Sequence, residues 1–174
     1  MKNIVLIGFM GSGKTAVGRK LAKKIGWKFV DVDAEIVKSE GMSITKIFEK
    51  YGEVYFRRLE TEAARKILDG SGKIVATGGG IVVKKRNIPV IKKRGVVAYL
   101  KNSFAESEKR LKGKKDRPLF RNINNARKLY KERLELYEKA ADIKVLTDGK
   151  TVAAAAESVK KKLEAGFAGS KSKS

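Results

Sequence analysis

Along the chain, short apolar runs alternate with segments in which apolar residues recur every three or four positions. Ile4 to Ile7 is an unbroken run of β-branched residues and leucine, the pattern of a strand covered on both faces. Val17, Leu21 and Ile25 then fall at helical spacing, which predicts a helix. "KFVDVD" reads as a second strand ending in aspartates. "AEIVKSE" and "SITKIFEKYG" predict short helices, the second capped by Ser43. "EVYFRRLETEAARKILDG" predicts a longer amphipathic helix closed by Gly70. "KIVATGGG" is a strand running into glycines, and "GVVAYL" is another strand. "SFAESEKRLKG" reads as helical, with Ser103 as its cap. "KKDRPLFRNINN" contains Pro118 and no periodicity, so it predicts a loop of the length that carries function. "ARKLYKERLELYEKA" is helical, "DIKVLT" a strand and "TVAAAAESVKKKLEA" a closing helix. The remaining residues, "GFAGSKSKS", read as a tail.

Five strands with helices between them predict an α/β fold: one parallel sheet with helices on both faces, in three layers. Residues 1–165 are expected to form a single domain, with a loop at about 112–124, and residues 166–174 a flexible tail. In such sheets ligands bind beyond the carboxyl ends of the strands. The glycine turn after the first strand, the Asp-x-Asp and the triple glycine all follow strands. They are expected to converge on one crevice.

The glycine turn carries the most specific chemistry. Gly8-x-x-x-x-Gly13-Lys14-Thr15 is a Walker A pattern between a predicted strand and a predicted helix. Glycines let the backbone curl so that successive N–H groups point at phosphate oxygens. The helix behind them adds the positive end of its dipole. Lys14 supplies a point charge to the β- and γ-phosphates, and Thr15 a hydroxyl ligand for Mg²⁺. Gly11, Ser12, Gly13, Lys14, Thr15 and Ala16 are the predicted contacts to ATP. The motif does not say which acceptor takes the phosphoryl group.

Composition narrows the remaining chemistry. The 174 residues contain no cysteine and no histidine. Disulfides and thiolate metal sites are excluded, and acid–base work falls to Asp, Glu, Lys or Tyr. No apolar run is long enough to span a membrane. The N-terminal apolar stretch is short and leads into the glycine turn without a cleavage pattern, so a cytoplasmic protein is expected. With 41 Lys and Arg against 19 Asp and Glu, the net charge is +22. The basic residues are scattered over the chain, and "KRLKGKK" is the densest cluster. They read as lysine on solvated helix faces, and their field draws in anionic small substrates. A nucleic-acid-binding ATPase would instead show a clustered basic face with stacking aromatics. A monomer without a nucleic-acid or membrane partner is expected.

Asp31 and Asp33 alternate at a strand end. On an extended backbone both carboxylates point the same way, one toward Mg²⁺ and the other able to take a proton from an acceptor hydroxyl. Asp33 is equally well placed to cap "AEIVKSE". Arg57 and Arg58 are adjacent on a helix and face different directions. Glu60, three residues after Arg57, could orient it, or the two could form a surface ion pair. Gly78, Gly79 and Gly80 would let an acceptor approach bare backbone N–H groups, or form a plain turn.

"GFMGSGKTAVGRKLA", "DVDAEI", "SITKIFEKYGEVYFRRLE", "TGGGIV" and "RPLF" follow one another in that order. Together they resemble shikimate kinase, from Met1 to about Leu163. The resemblance implies a P-loop kinase fold like that of nucleoside-monophosphate kinases, with strand order 2-3-1-4-5. It implies ATP-dependent phosphorylation of the 3-hydroxyl of shikimate, in aromatic amino-acid biosynthesis. It assigns Asp33 to the shikimate hydroxyls and as the base, and Asp31 to the neighbourhood of Mg²⁺. Arg57 and Arg133 would grip the shikimate carboxylate, with Glu60 beside Arg57. Gly78, Gly79 and Gly80 would line the acceptor pocket, with Phe48 and Phe56 as walls. Arg117 would be a lid arginine closing over the phosphates, and Arg110 a nucleotide contact. Lys14 and Arg117 would join Asp33 as the catalytic residues. A gluconate-kinase-like protein would keep the Walker A pattern without needing the other motifs. Thr15 departs from the commoner serine but can ligate Mg²⁺ equally well. The lysine-rich "KGKKDR" and the high net charge also depart from the family.

Overall fold

The computed structural model describes residues 2–112 and 122–171. Its centre is strand β1 (Asn3–Ile7), every residue of which is buried. Side chains alternate across a strand, so β1 feeds two cores. Ile4 and Leu6 belong to one, Val5 and Ile7 to the other. This is why the sequence runs apolar without a break.

β2 (Lys28–Asp31), β3 (Lys73–Ala76), β4 (Gly95–Lys101) and β5 (Ile143–Leu146) complete one sheet in the order β2-β3-β1-β4-β5. All pairs are parallel, and Val5 lies between Val75 and Val97. The strand order is the one that the resemblance implies.

Helices α1 (Lys14–Ile25) and α7 (Val152–Lys171) supply Val17, Leu21, Ala155, Val159 and Leu163 to the first core. The second core takes Ile36 from α2 (Val32–Glu40) and Ile47, Phe56 and Ala64 from α3 (Ile44–Ile67). It adds Ile91 from α4 (Asn87–Arg94), Phe104 from α5 (Phe104–Leu111), and Ala126 and Tyr137 from α6 (Ile123–Ala140). Each fully buried Leu or Ile among these contributes roughly 1.5–3 kcal/mol. The sheet is thus sandwiched, and the carboxyl ends of β1, β2 and β3 open at one edge.

Several boundaries differ from the sequence reading. The second strand stops at Asp31, and α2 begins at Val32. The two helices expected from Ser43 to Gly70 form one element with a kink at Gly52 (φ 76°, ψ 175°). Glycine reaches that left-handed φ without the Cβ penalty. Ser43 caps α3 by accepting from the Lys46 N–H, while its end is capped at Leu68 and not by Gly70. Helix α4 was not anticipated. Among its eight residues only Asn87 and Ile91 are buried, so no apolar period marks it. Pro89 sits in its first turn, where a missing N–H costs no intrahelical bond. Helix α6 begins at Ile123, inside the loop expected at 112–124. Residues 113–121 of that loop lie outside the described residues. Helix α7 runs to Lys171, into the stretch read as a tail from residue 166.

Candidate active site

The turn between β1 and α1 wraps around its own lysine. Lys14 Nζ donates to Gly8 O (2.8 Å) and Phe9 O (2.9 Å) and lies 3.4 Å from Ser12 Oγ. Helix α1 is capped by Gly13 without a side-chain bond. Its first N–H groups are therefore available to an anion at the positive end of the helix. The outer side of the turn is braced. Arg110, on α5, donates to Gly11 O (3.1 Å) and to Thr147 O (2.8 Å), and pairs with Glu106 (2.8 Å).

Asp31 and Asp33 are not the alternating strand pair that an extended backbone predicts. Asp31 is the N-cap of α2, and Asp33 lies in the first helical turn. Asp31 Oδ1 accepts from the N–H groups of Asp33 (3.0 Å) and Ala34 (3.3 Å). The capping role considered for Asp33 thus belongs to Asp31. Asp31 Oδ2 accepts from the Thr15 hydroxyl at 2.7 Å. Two hard oxygen ligands from different elements are in contact here. That donor set fits Mg²⁺, which takes one or two carboxylates and completes its shell with phosphate and water. Among the described residues no group of three or more Asp or Glu could hold a metal, and this site needs none.

A cavity of about 550 Å³ runs along the turn. Met10 to Val17 line it on one side, with Asp31, Asp33, Thr77 and Gly79 at one end. Arg110, Thr147, Lys150, Thr151 and Ala155 stand at the other. It therefore joins the phosphate-binding turn to two of the residues expected to face the acceptor.

Those two belong to a buried polar cluster. Arg57 and Arg58 diverge as expected: Arg57 is 5% exposed and Arg58 lies at the surface. Arg57 Nη1 donates to Glu60 Oε2 at 2.9 Å, and its Nε and Nη2 donate to Glu53 Oε1 at 3.1 and 2.9 Å. Its guanidinium sits on Gly80, where any Cβ would collide with it. A Cβ on Gly78 would collide with Glu60 Oε1 and stand 2.7 Å from Asp33 Oδ1. Close approach therefore demands glycine at 78 and 80, whereas a Cβ on Gly79 would meet nothing nearer than 3.4 Å. Arg133, on α6, is also buried and donates to Gly79 O at 3.3 Å. Phe48 and Phe56 pack together at 4.8 Å, with Arg57 over the Phe56 ring.

Burial raises the Glu60 carboxyl above the ordinary range, against the opposing charge of Arg57, and nearby Asp33 adds to the rise. Burial also works against the Arg57 cation, but Glu60 and Glu53 outweigh it and hold the guanidinium charged. Glu60 Oε1 is buried without a hydrogen-bond partner among the described residues. A buried acceptor of that kind suits a hydroxyl donor brought by a ligand.

A model of the shikimate kinase family matches residues 10–164. The chain belongs to the shikimate kinase family. It is 45% identical over 167 residues to shikimate kinase of Thermodesulfovibrio yellowstonii, covering 94% of this chain and 96% of that one. Shikimate kinase of Geobacter sulfurreducens is 45% identical over 154 residues, covering 87% and 84%. The solved structure of shikimate kinase from Acinetobacter baumannii in complex with shikimate superposes with a TM-score of 0.92 at 36% identity. It covers 95% of this chain and 94% of that one.

Within this shikimate-kinase fold, the structure brings Lys14, Thr15, Asp31, Asp33 and Gly79 to one cavity. It sets Arg57, Glu60, Gly78, Gly80 and Arg133 in the cluster around that cavity's glycine wall. Arg110 lines the opposite end. Arg117 lies outside the described residues. Sequence reasoning passed over Glu53, Tyr137 and Thr147. Glu53 lies four residues before Arg57, and Tyr137 four after Arg133. The i, i+4 rule places such pairs on one helix face and was the available signal. Thr147 directly follows β5, where the rule of strand carboxyl ends applies.

Proposed function

We propose that the protein transfers the γ-phosphoryl group of ATP to the 3-hydroxyl of shikimate. The products are shikimate 3-phosphate and ADP, in the biosynthesis of chorismate and the aromatic amino acids. The observation that carries this is the shared cavity: Lys14 and Thr15 line it together with Asp33 and Gly79. Donor and acceptor chemistry therefore meet in one space, and the pattern of a kinase with a small acceptor follows.

The residues take these roles in the reading. Backbone N–H groups from Gly11 to Ala16 cradle the phosphates, and Lys14 leaves its carbonyl partners for phosphate oxygens. Arg110 lies along the nucleotide, and Arg117 closes over the phosphates. Arg57 and Arg133 hold the shikimate carboxylate, because planar guanidinium groups suit it bidentately. Glu60 and Glu53 fix the Arg57 plane and leave its remaining N–H groups for the ligand. Asp33 holds the acceptor hydroxyl and receives its proton as the oxygen attacks the γ-phosphorus. The bond from that phosphorus to the β-γ bridging oxygen breaks, and the electron pair leaves with ADP. Thr15 and Asp31 would hold Mg²⁺, whose charge neutralises the phosphates. Most of the acceleration then comes from alignment and charge neutralisation.

The same reading takes the protein as a cytoplasmic monomer with no nucleic-acid or membrane partner. Among the described residues no helix is long and apolar enough to cross a membrane. A coupled assay of ADP release tests the proposal. Release is expected to depend on shikimate and to be absent with gluconate. Turnover that ignores shikimate overturns it. Steeply salt-dependent binding to mixed DNA would favour a nucleic-acid-dependent ATPase instead.

A further inference from the structure

We infer that Tyr137 is a positioning residue: its hydroxyl sets the direction of the Gly79–Gly80 peptide and so aims the Gly80 N–H at the acceptor. The inference rests on the acceptor reading above. Tyr137 has no exposed surface, and its hydroxyl donates to Gly79 O. In a trans peptide the carbonyl oxygen and the following N–H point to opposite sides. A carbonyl turned toward α6 therefore turns the Gly80 N–H away from α6.

The rest of the turn is already fixed. Gly78 O accepts from Ile81 N (3.3 Å), and Gly80 O from Val83 N (2.9 Å). Among the described residues no acceptor reaches the N–H of Gly79 or Gly80. Three consecutive glycines have little stiffness of their own, so the direction of the middle peptide must be imposed from outside. Two donors on one face of α6 impose it. Arg133 reaches Gly79 O at 3.3 Å, and Tyr137 reaches the same oxygen one turn later.

The two donors are not equivalent. Arg133 is also assigned to the acceptor's carboxylate, and a guanidinium drawn to that anion loosens its long bond to Gly79. Tyr137 has no such second task. Its ring stacks on Tyr99 with centroids 5.2 Å apart and planes at 26°. Burial raises its phenol well above the ordinary range, so it stays a donor across the working pH. Tyr137 thus keeps the glycine peptide aimed while Arg133 attends to the ligand.

Tyr137→Phe in the full chain keeps the ring and its stacking and removes only the donor. The KM for shikimate is expected to rise about tenfold, the loss of one buried hydrogen bond, with the KM for ATP unchanged. In the ligand-free protein, amide hydrogen exchange of residues 77–82 is expected to quicken, while that of α1 stays as it was. Tyr99→Phe removes a buried hydroxyl that makes no bond to Gly79 and is expected to change neither quantity. A shikimate KM that does not move, an exchange rate that does not change, or the same effects from Tyr99→Phe overturns the inference. A wild-type protein that shows no shikimate-dependent ADP release overturns the acceptor reading alone. The exchange comparison still decides whether Tyr137 holds the loop.

Discussion

The backbone cradle assigned to the triphosphate runs without a break from Gly11 to Ala16, whereas the residues assigned to the acceptor come from four places. Asp33 comes from α2, Arg57 and Glu60 from α3, the glycines from the turn after β3, and Arg133 from α6. The donor half is braced mainly by its own backbone, with Lys14 bonded to carbonyls five and six residues away. The acceptor half is held by contacts such as Arg133 to Gly79, 54 residues apart. The first can be recognised and built locally. The second exists only when α3 and α6 have packed on the sheet. Catalysis requires both, but each can be damaged separately.

The sharpest break is Asp33→Asn. Shikimate-dependent ADP release is expected to fall about a thousandfold, within the range for loss of a general base. ATP binding, followed by nucleotide titration, is expected to persist. Undiminished turnover in that variant would remove Asp33 from its role. Lys14→Ala attacks the other half. Turnover is expected to drop several hundredfold for loss of one charged stabiliser, and shikimate binding measured by calorimetry to survive.

Arg57→Ala is expected to raise the KM for shikimate about a hundredfold, the scale for truncating one partner of a buried charged pair. The KM for ATP should not change, which separates the halves kinetically. The smallest effect belongs to Glu60→Gln. The raised Glu60 carboxyl makes the folded state hold a proton that the unfolded state releases. Stability from this group therefore falls as pH rises above the ordinary carboxylate value of 4.5. Glu60→Gln abolishes that slope. The difference in Tm, variant minus wild type, is expected to grow more positive from pH 4 to 8. A difference that is flat with pH would show that Glu60 is not buried under strain.

The same contrast explains what could be read beforehand. The phosphate turn was legible because motif, strand and helix are contiguous. The strand order was legible only through the family resemblance, and the pairing of Arg57 with Glu60 from i, i+3 spacing. The reading of Asp31 and Asp33 as a strand pair failed because the helix begins between them, and two residues are too few to reveal a switch of period. Tyr137 carries no motif, since its partner is a backbone carbonyl whose position depends on tertiary packing. Helix α4 escaped because it buries too little to show a pattern.

Asp31 spans the division between the halves. With one oxygen it caps the helix that carries Asp33, and with the other it meets Thr15 of the phosphate turn. A redesign that exchanged the segment from α2 to the triple glycine for another acceptor's would meet its hardest constraint at that boundary. A graft that began before Asp31 would have to supply a carboxylate in the same place, or it would unseat together the two aspartates proposed as metal neighbour and base. The workable seam for changing what this fold phosphorylates therefore lies after Asp31, within the helix and not at its start.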